Sequence, residues 1–155
     1  MSTDVRHLKK SEWDIAMQLA WDTFLVYEAP EYDPDGVKHF HEFVKGEELR
    51  NMFLLGEYRA WGAFDEEGII TGVLGIRKHW HISLLFVEPS LHHQGIATAL
   101  LKQAFIEAAE EGITEMTVFS SPFATGFYHK IGFTDTGCEK TTDGIRYTPM
   151  KIELF

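Results

Sequence analysis

The 155-residue chain has a single cysteine, Cys138. No disulfide can close within it, and a reducing compartment is expected. The N-terminus, Met1-Ser2-Thr3-Asp4-Val5-Arg6, lacks the apolar core of a secretion signal. No apolar run approaches the ~20 residues that cross a bilayer. Cytoplasmic placement without a membrane partner is therefore expected. Basic residues are also scarce. Fourteen Lys and Arg face 24 Asp and Glu, for a net charge of −10. That argues against a nucleic-acid partner, whose binding rests on phosphate neutralisation, and against an anionic lipid surface. A cationic partner such as a protonated amine suits an acidic body better. Repeats, low-complexity tracts and Pro/Gly/Ser-rich linkers are missing too, so one domain over residues 1–155 is expected. Hydrophobic residues make up 45% of the chain and charged residues 25%, an ordinary globular balance. The length is sufficient to bury a core.

Periodicity then orders the elements. Val5 to Leu8 reads as a short first strand. Ser11 reads as an N-cap, with Asp14 in the capping-box position, for a helix ending near Glu28 at Ala29-Pro30. Helical pieces follow over Pro34 to Lys45 and Glu47 to Phe53. Arg59 to Phe64, Ile69 to Arg77 and Trp80 to Glu88 read as strands. Ala97 to Glu111 is a helix, with Leu100, Leu101, Ala104, Phe105 and Ala108 at helical spacing and Gly112 as its stop. A strand over Thr114 to Ser120, a short helix over Phe123 to Lys130, and strands near Thr134–Cys138 and Ile145–Glu153 complete the chain. Strand–helix–strand units flanked by antiparallel pairs predict an α/β domain, a mixed sheet with helices on its faces.

The segment His92-His93-Gln94-Gly95-Ile96-Ala97-Thr98 joins a strand-like run to the strongest helix. The first N–H groups of a helix have no internal partner and lie at the positive end of its dipole. A diphosphate is a natural guest there. Gly95 and Ala97 leave room for close backbone approach. A tight strand-to-helix turn would need the same residues, so the loop alone leaves both readings open.

A second segment, Ser120-Ser121-Pro122-Phe123-Ala124-Thr125-Gly126-Phe127-Tyr128-His129-Lys130-Ile131-Gly132-Phe133, follows the next strand. Together the two segments resemble the GNAT (Gcn5-related N-acetyltransferase) superfamily. Residues His92 to Ala97 stand where that family has Gln/Arg-x-x-Gly-x-Gly/Ala. Ala124, Phe127, Tyr128, Gly132 and Phe133 match its Ala-x-x-Phe-Tyr-x-x-x-Gly-Phe, and Val87-Glu88-Pro89 matches its Val-x-Pro. The element order fits from about residue 3 to 155. The resemblance implies a mixed, mostly antiparallel central sheet with helices on both faces, whose fourth and fifth strands splay into a cofactor cleft. It implies acetyl-CoA as donor, with Leu85, Phe86 and Val87 facing the pantetheine arm. His92, His93, Gln94, Gly95, Ile96, Ala97 and Thr98 would hold the diphosphate, and Ser121 and Tyr128 would complete the cofactor site. His92 departs from the motif. A titratable ring replaces a fixed charge, so binding is expected to strengthen as pH falls.

Acetyl transfer to an amine requires the amine to lose a proton and the leaving thiolate to gain one. Tyr128 matches the family tyrosine that points at the cofactor sulfur, and a phenol stays protonated at neutral pH. His81 lies where several branches place a base. Strand alternation would set His79, His81, Ser83, Leu85 and Val87 on one face. Glu88 is a second candidate base, and Ser83 a candidate relay. Tyr27, Glu28 and Tyr32 belong to an aromatic and acidic cluster suited to an ammonium group. No metal is expected, because the pair His79 and His81 has no well-spaced third ligand. Cys138 has no marked partner for nucleophilic work. The expected function is N-acetylation of a primary amine on a small molecule or peptide, by direct transfer. A non-catalytic acyl-CoA-binding or regulatory domain is the alternative, and a longer donor such as succinyl-CoA is a variant. Homodimers are common among proteins of this resemblance, which therefore admits one here.

Overall fold

The computed structural model describes residues 3–154, so the outer limits of the expected 1–155 domain lie outside the described residues. Its strands are β1 (Asp4–His7), β2 (Arg59–Phe64), β3 (Ile70–Arg77), β4 (His81–Val87), β5 (Glu115–Ser120), β6 (Thr134–Asp135), β7 (Lys140–Thr142) and β8 (Ile145–Glu153). They form a sheet in the order β1-β2-β3-β4-β5-β8-β6, with β7 paired to the start of β8. Every pairing is antiparallel except β4 with β5. The α-helices are α1 (Trp13–Tyr27), α2 (Pro34–Lys45), α3 (Glu47–Leu54), α4 (Ile96–Glu110) and α5 (Thr125–Ile131).

Each face of the sheet has its own core. On one side Trp61, Leu74, Ile82 and Val87 meet Leu100, Leu101 and Ala104 of α4 and Tyr128 of α5. On the other, Val73, Leu84 and Phe86 meet Met17, Ala20 and Phe24 of α1, with Val44 and Leu49 of α2 and α3. The buried positions of α1 (Trp13, Ala16, Met17, Ala20, Thr23 and Phe24) recur at three and four residues, which makes one continuous stripe. Phe24 is fully enclosed, a burial that contributes ~2–3 kcal/mol.

The start of α1 differs from the sequence expectation. Lys10–Glu12 forms a 3-10 turn, so Ser11 is inside it and does not cap the helix. Glu12 does the anchoring. Its carboxylate accepts the Lys9 N–H at 2.7 Å and grips Arg6 through bonds of 2.9 and 2.8 Å. The Arg6 guanidinium holds that carboxyl down at about 2. At its other end α1 stops before Ala29-Pro30, where Pro30 has no N–H to continue the ladder, and a 3-10 turn over Ala29–Glu31 follows. The polar strand β7 was not anticipated from the sequence. All three of its residues are exposed, so no hydrophobic alternation marks it.

Candidate active site

Strands β4 and β5 pair only at His81 with Thr117 and Ile82 with Val118. Beyond Ile82 the two part, and the β5-facing edge of β4 has no strand partner. A bulge sharpens the opening. Leu84 pairs with Gly75 and Ile82 with Ile76, which leaves Ser83 as an extra residue. Gly75 is required at this point, because a Cβ there would overlap the hydroxyl of buried Tyr58. That hydroxyl shares a 2.6 Å hydrogen bond with Ser83 Oγ and so fastens the bulge.

The bulge also corrects a sequence expectation. Alternation does not run unbroken from His79 to Val87. Leu85 and Val87 face the α4 core, whereas His81 sits with Thr117 and Phe119 on the opposite face. Its Nδ1 is 2.7 Å from Thr117 Oγ1, and its ring meets Phe119 edge-on at 4.4 Å. His79 lies outside the strand in a 3-10 turn, with φ of +64°.

A cavity of about 540 Å³ occupies the split. Its walls come from both sheet strands, the α1–α2 segment, α5 and the β7–β8 hairpin. Glu28, Tyr32, His81, Leu85, Phe86, Ser121 and Tyr128 all reach it. The hairpin is locked over it by a close approach of two glycines. A Cβ on Gly36 would overlap the Gly144 carbonyl, and one on Gly144 would lie 2.7 Å from Gly36 N. Arg146 ties the same hairpin to Glu31 at 3.0 Å.

Electrostatics separate the roles inside the cavity. Desolvation raises the Glu28 carboxyl to about 7, against a hydrogen bond donated by the Tyr32 hydroxyl at 3.3 Å that favours the charged form. Desolvation lowers His81 to about 4, and the charge of Arg77 adds to this. Burial, with a contribution from the Glu28 charge, pushes the Tyr128 phenol upward. At neutral pH the site therefore holds a neutral imidazole, a protonated phenol and a carboxyl poised to exchange a proton. Tyr128 hydroxyl has no hydrogen-bond partner among the described residues. Ser121 Oγ is buried and also unsatisfied, a cost of ~1–3 kcal/mol that a polar guest would relieve.

The loop ahead of α4 is tightly turned. His93 and Gly95 both have left-handed backbones, φ +67° and +80°. Gly95 is the N-cap of α4, and no side chain caps that end. A Cβ on Gly95 would meet nothing within 4 Å, so what calls for glycine there is its φ of +80°. The N–H groups of Ile96, Ala97 and Thr98 open the helix and have no intrahelical partner.

The family model described as "Acetyltransferase (GNAT) domain" matches residues 28–154. The chain belongs to the GNAT family. Solved structures agree in fold. A GCN5-related N-acetyltransferase from Rhodopseudomonas palustris superposes with a TM-score of 0.84 at 18% identity, covering 99% of this chain and 96% of that one. The PaiA N-acetyltransferase from Thermoplasma acidophilum, in complex with coenzyme A, gives 0.79 at 21% identity, covering 99% of both chains. An aminoglycoside 6′-N-acetyltransferase complexed with coenzyme A gives 0.70 at 14% identity, covering 98% and 97%.

Seen as a GNAT domain, the chain distributes its sequence-predicted residues in two groups. Glu28, Tyr32, His81, Leu85, Phe86, Ser121 and Tyr128 converge on the cavity. Tyr27 does not line it. Its ring stacks on His92 at 4.6 Å and lies 4.8 Å from Phe123. His92 itself is committed to the fold. Its Nε2–H donates to the Val87 carbonyl at 2.8 Å. Val87 is buried in the α4 core. Glu88 accepts from the backbone N–H of Ser90 at 3.1 Å and from its hydroxyl, which ties it to a turn. Among the described residues, no group of three His, Cys, Asp or Glu is placed to hold a metal, and no helix is long and apolar enough to cross a membrane.

Sequence reasoning missed Arg77, Thr117, Phe119 and Tyr147, all on the face of the sheet opposite α4. One signal was available. Met116 and Val118 alternate into the core, so a large aromatic at 119 falls on the other face, where it is half exposed.

Proposed function

We propose that this GNAT protein is an acetyl-CoA-dependent N-acetyltransferase that acts on a primary amine of a small molecule or peptide by direct transfer. One observation carries the proposal: the unpaired edge of β4 opens into the same cavity as Tyr128, Glu28 and His81. The similar structures solved with coenzyme A support the donor, and the aminoglycoside 6′-N-acetyltransferase among them supports an amine as the acceptor class.

The residues fit the donor. The free edge of β4 at Leu85 and Phe86 offers backbone groups to pantetheine amides, and the unsatisfied Ser121 Oγ offers a side-chain partner. The loop from His92 to Thr98 receives the diphosphate on the opening N–H groups of α4. Bound there, acetyl-CoA supplies the thioester carbonyl that the amine attacks. Glu28 receives the acceptor ammonium and takes its proton. A carboxyl near 7 is matched to neutral pH, and it is a stronger base than His81, which burial lowers to about 4. His81, aligned by Thr117, is the second route for that proton. The amine nitrogen forms its bond to the acetyl carbon as the carbon–sulfur bond breaks. Tyr128 gives its phenolic proton to the departing thiolate.

Release of free thiol from acetyl-CoA, followed with a panel of amines, tests the reading. Tyr128→Phe is expected to lower kcat by about 10²- to 10⁴-fold with little change in coenzyme A binding. Unchanged turnover in that variant would remove Tyr128 from the reaction. Thermal stabilisation by coenzyme A without thiol release for any amine would instead mark a non-catalytic acyl-CoA-binding domain.

A further inference from the structure

The chain has five arginines, at positions 6, 50, 59, 77 and 146. Arg6 is paired with Glu12, Arg59 with Glu111, and Arg146 with both Glu31 and Glu139. Arg77 has no ion-pair or hydrogen-bond partner among the described residues, although acidic residues outnumber basic ones in this chain. Unlike Arg50, it lines the cavity.

Its placement is set by the sheet. Arg77 ends β3 directly opposite His81 of β4. Facing residues of an antiparallel pair project from the same side, so Arg77 shares the face that holds His81, Thr117 and Phe119. Arg77 is itself exposed where it lines the cavity, and its charge acts on His81 and on buried Tyr58. The acids of the cavity lie elsewhere. Glu28 follows α1 and is close enough to Tyr128 to act on its phenol. Asp143 is in the β7–β8 turn. The cavity thus carries an acidic group beside the acid-catalysis tyrosine and an unneutralised guanidinium on β3.

We propose that Arg77 is an anion subsite for the acceptor, and that the acceptor is an amine bearing its own carboxylate, such as an amino acid or short peptide. This rests on the transferase reading. Glu28 takes the ammonium end beside Tyr128, and Arg77 takes the carboxylate through its planar fork, which can donate two parallel N–H bonds. A simple diamine satisfies Glu28 but brings a second positive charge towards Arg77. That selects against polyamine-like acceptors, even though the chain as a whole is acidic.

The test uses the purified full chain saturated with acetyl-CoA for turnover, and with coenzyme A for binding. Acceptors are compared in matched sets: amino acids and dipeptides, their C-terminal amides, diamines of equal length, and aminoalkyl phosphates. The expected result is a KM about 10- to 100-fold lower for the carboxylate than for its amide. Arg77→Gln should bring that ratio close to one, mainly through KM and not kcat, and Arg77→Lys should restore part of it. Calorimetry on the coenzyme A complex should show the same preference without turnover. Amides or diamines used as well as carboxylates by the wild type, or an unchanged ratio in Arg77→Gln, would overturn the subsite. A clear preference for the aminoalkyl phosphates would overturn the carboxylate assignment. Carboxylate-selective binding with no acetyl transfer would overturn the transferase reading and leave the subsite standing. Unselective transfer would do the reverse.

Discussion

At the scale of single residues, Glu28 concentrates the argument. Its folded-state carboxyl sits near 7, above the ordinary value of 4.5, because the charged form is desolvated. Two consequences follow with opposite signs. If Glu28 takes the amine proton, kcat rises with pH through about 7 and then levels off. His81, held near 4, is neutral across that whole range and cannot produce this limb. Glu28→Gln is therefore expected to abolish the limb and lower kcat by about 10²-fold, whereas His81→Ala should keep its midpoint. A limb that survives in Glu28→Gln would exclude the carboxylate as base. Stability runs the other way. A carboxyl whose folded pKa is raised binds protons more tightly in the folded state. Its stabilising effect is complete below 4.5 and is lost as pH rises through about 7. Glu28→Gln escapes that loss. Between pH 5 and pH 8 the variant should gain on the wild type by on the order of 1 kcal/mol, less than full linkage gives because the side chain is only half-buried. Urea unfolding at the two pH values measures it. Lower activity with higher stability at pH 8 is the signature of a carboxylate held in place for chemistry.

At the scale of elements, the pieces that build the cavity were unevenly legible. Helix α2 could be read almost to the residue, since Pro34 opens it and Gly46 closes it. The Gly95 turn and the Phe127-Tyr128 helix could be read from their motifs. Of the β7–β8 hairpin, the turn around Thr142-Asp143-Gly144 and strand β8 could be read, but β7 could not, because Lys140, Thr141 and Thr142 are all exposed and carry no apolar rhythm. Nor could the bulge at Ser83, which depends on a tyrosine 25 residues away meeting a glycine on the neighbouring strand. Long-range contacts of this kind decide which face His81 takes, and local periodicity contains no trace of them. The hairpin makes the sharper test. Gly144 has φ +78°, and a Cβ there would press on Gly36 N. Gly144→Ala carries both the left-handed strain and the contact, together ~1–3 kcal/mol. The turn should lift from α2 and take Asp143, Ile145 and Tyr147 away from the cavity wall. Two-substrate kinetics should then show KM for the amine rising several-fold while KM for acetyl-CoA stays within a factor of two. The diphosphate loop lies on a different connection, between β4 and α4. An equal rise in both constants would mean that the hairpin supports the whole cleft and not the acceptor side alone.

At the scale of the whole molecule, the sheet that separates the two cores is continuous except where β4 and β5 part. A ligand bridging the gap would supply hydrogen bonds that the fold leaves open, so coenzyme A should stabilise the entire domain. At a hundredfold excess over Kd the gain is about 2.7 kcal/mol, or roughly 5–10 °C in Tm for a chain of this length. Salt then discriminates how the diphosphate is held. The net charge is −10, and residues 88–98 include no Lys or Arg. His92 spends its Nε2–H on the Val87 carbonyl. A cradle made of backbone N–H groups at a helix start acts at contact range, whereas the repulsion between an acidic body and a polyanionic ligand acts over the Debye length. Raising ionic strength from 0.02 to 0.2 M shortens that length about threefold, which removes repulsion and leaves the contacts largely intact. Coenzyme A affinity, measured by calorimetry at the two salt concentrations, should therefore stay level or tighten. A loss of tenfold or more would show that side-chain cations, with Lys102 on the first turns of α4 the nearest in sequence, do the holding, and that the Gly95 turn contributes shape alone.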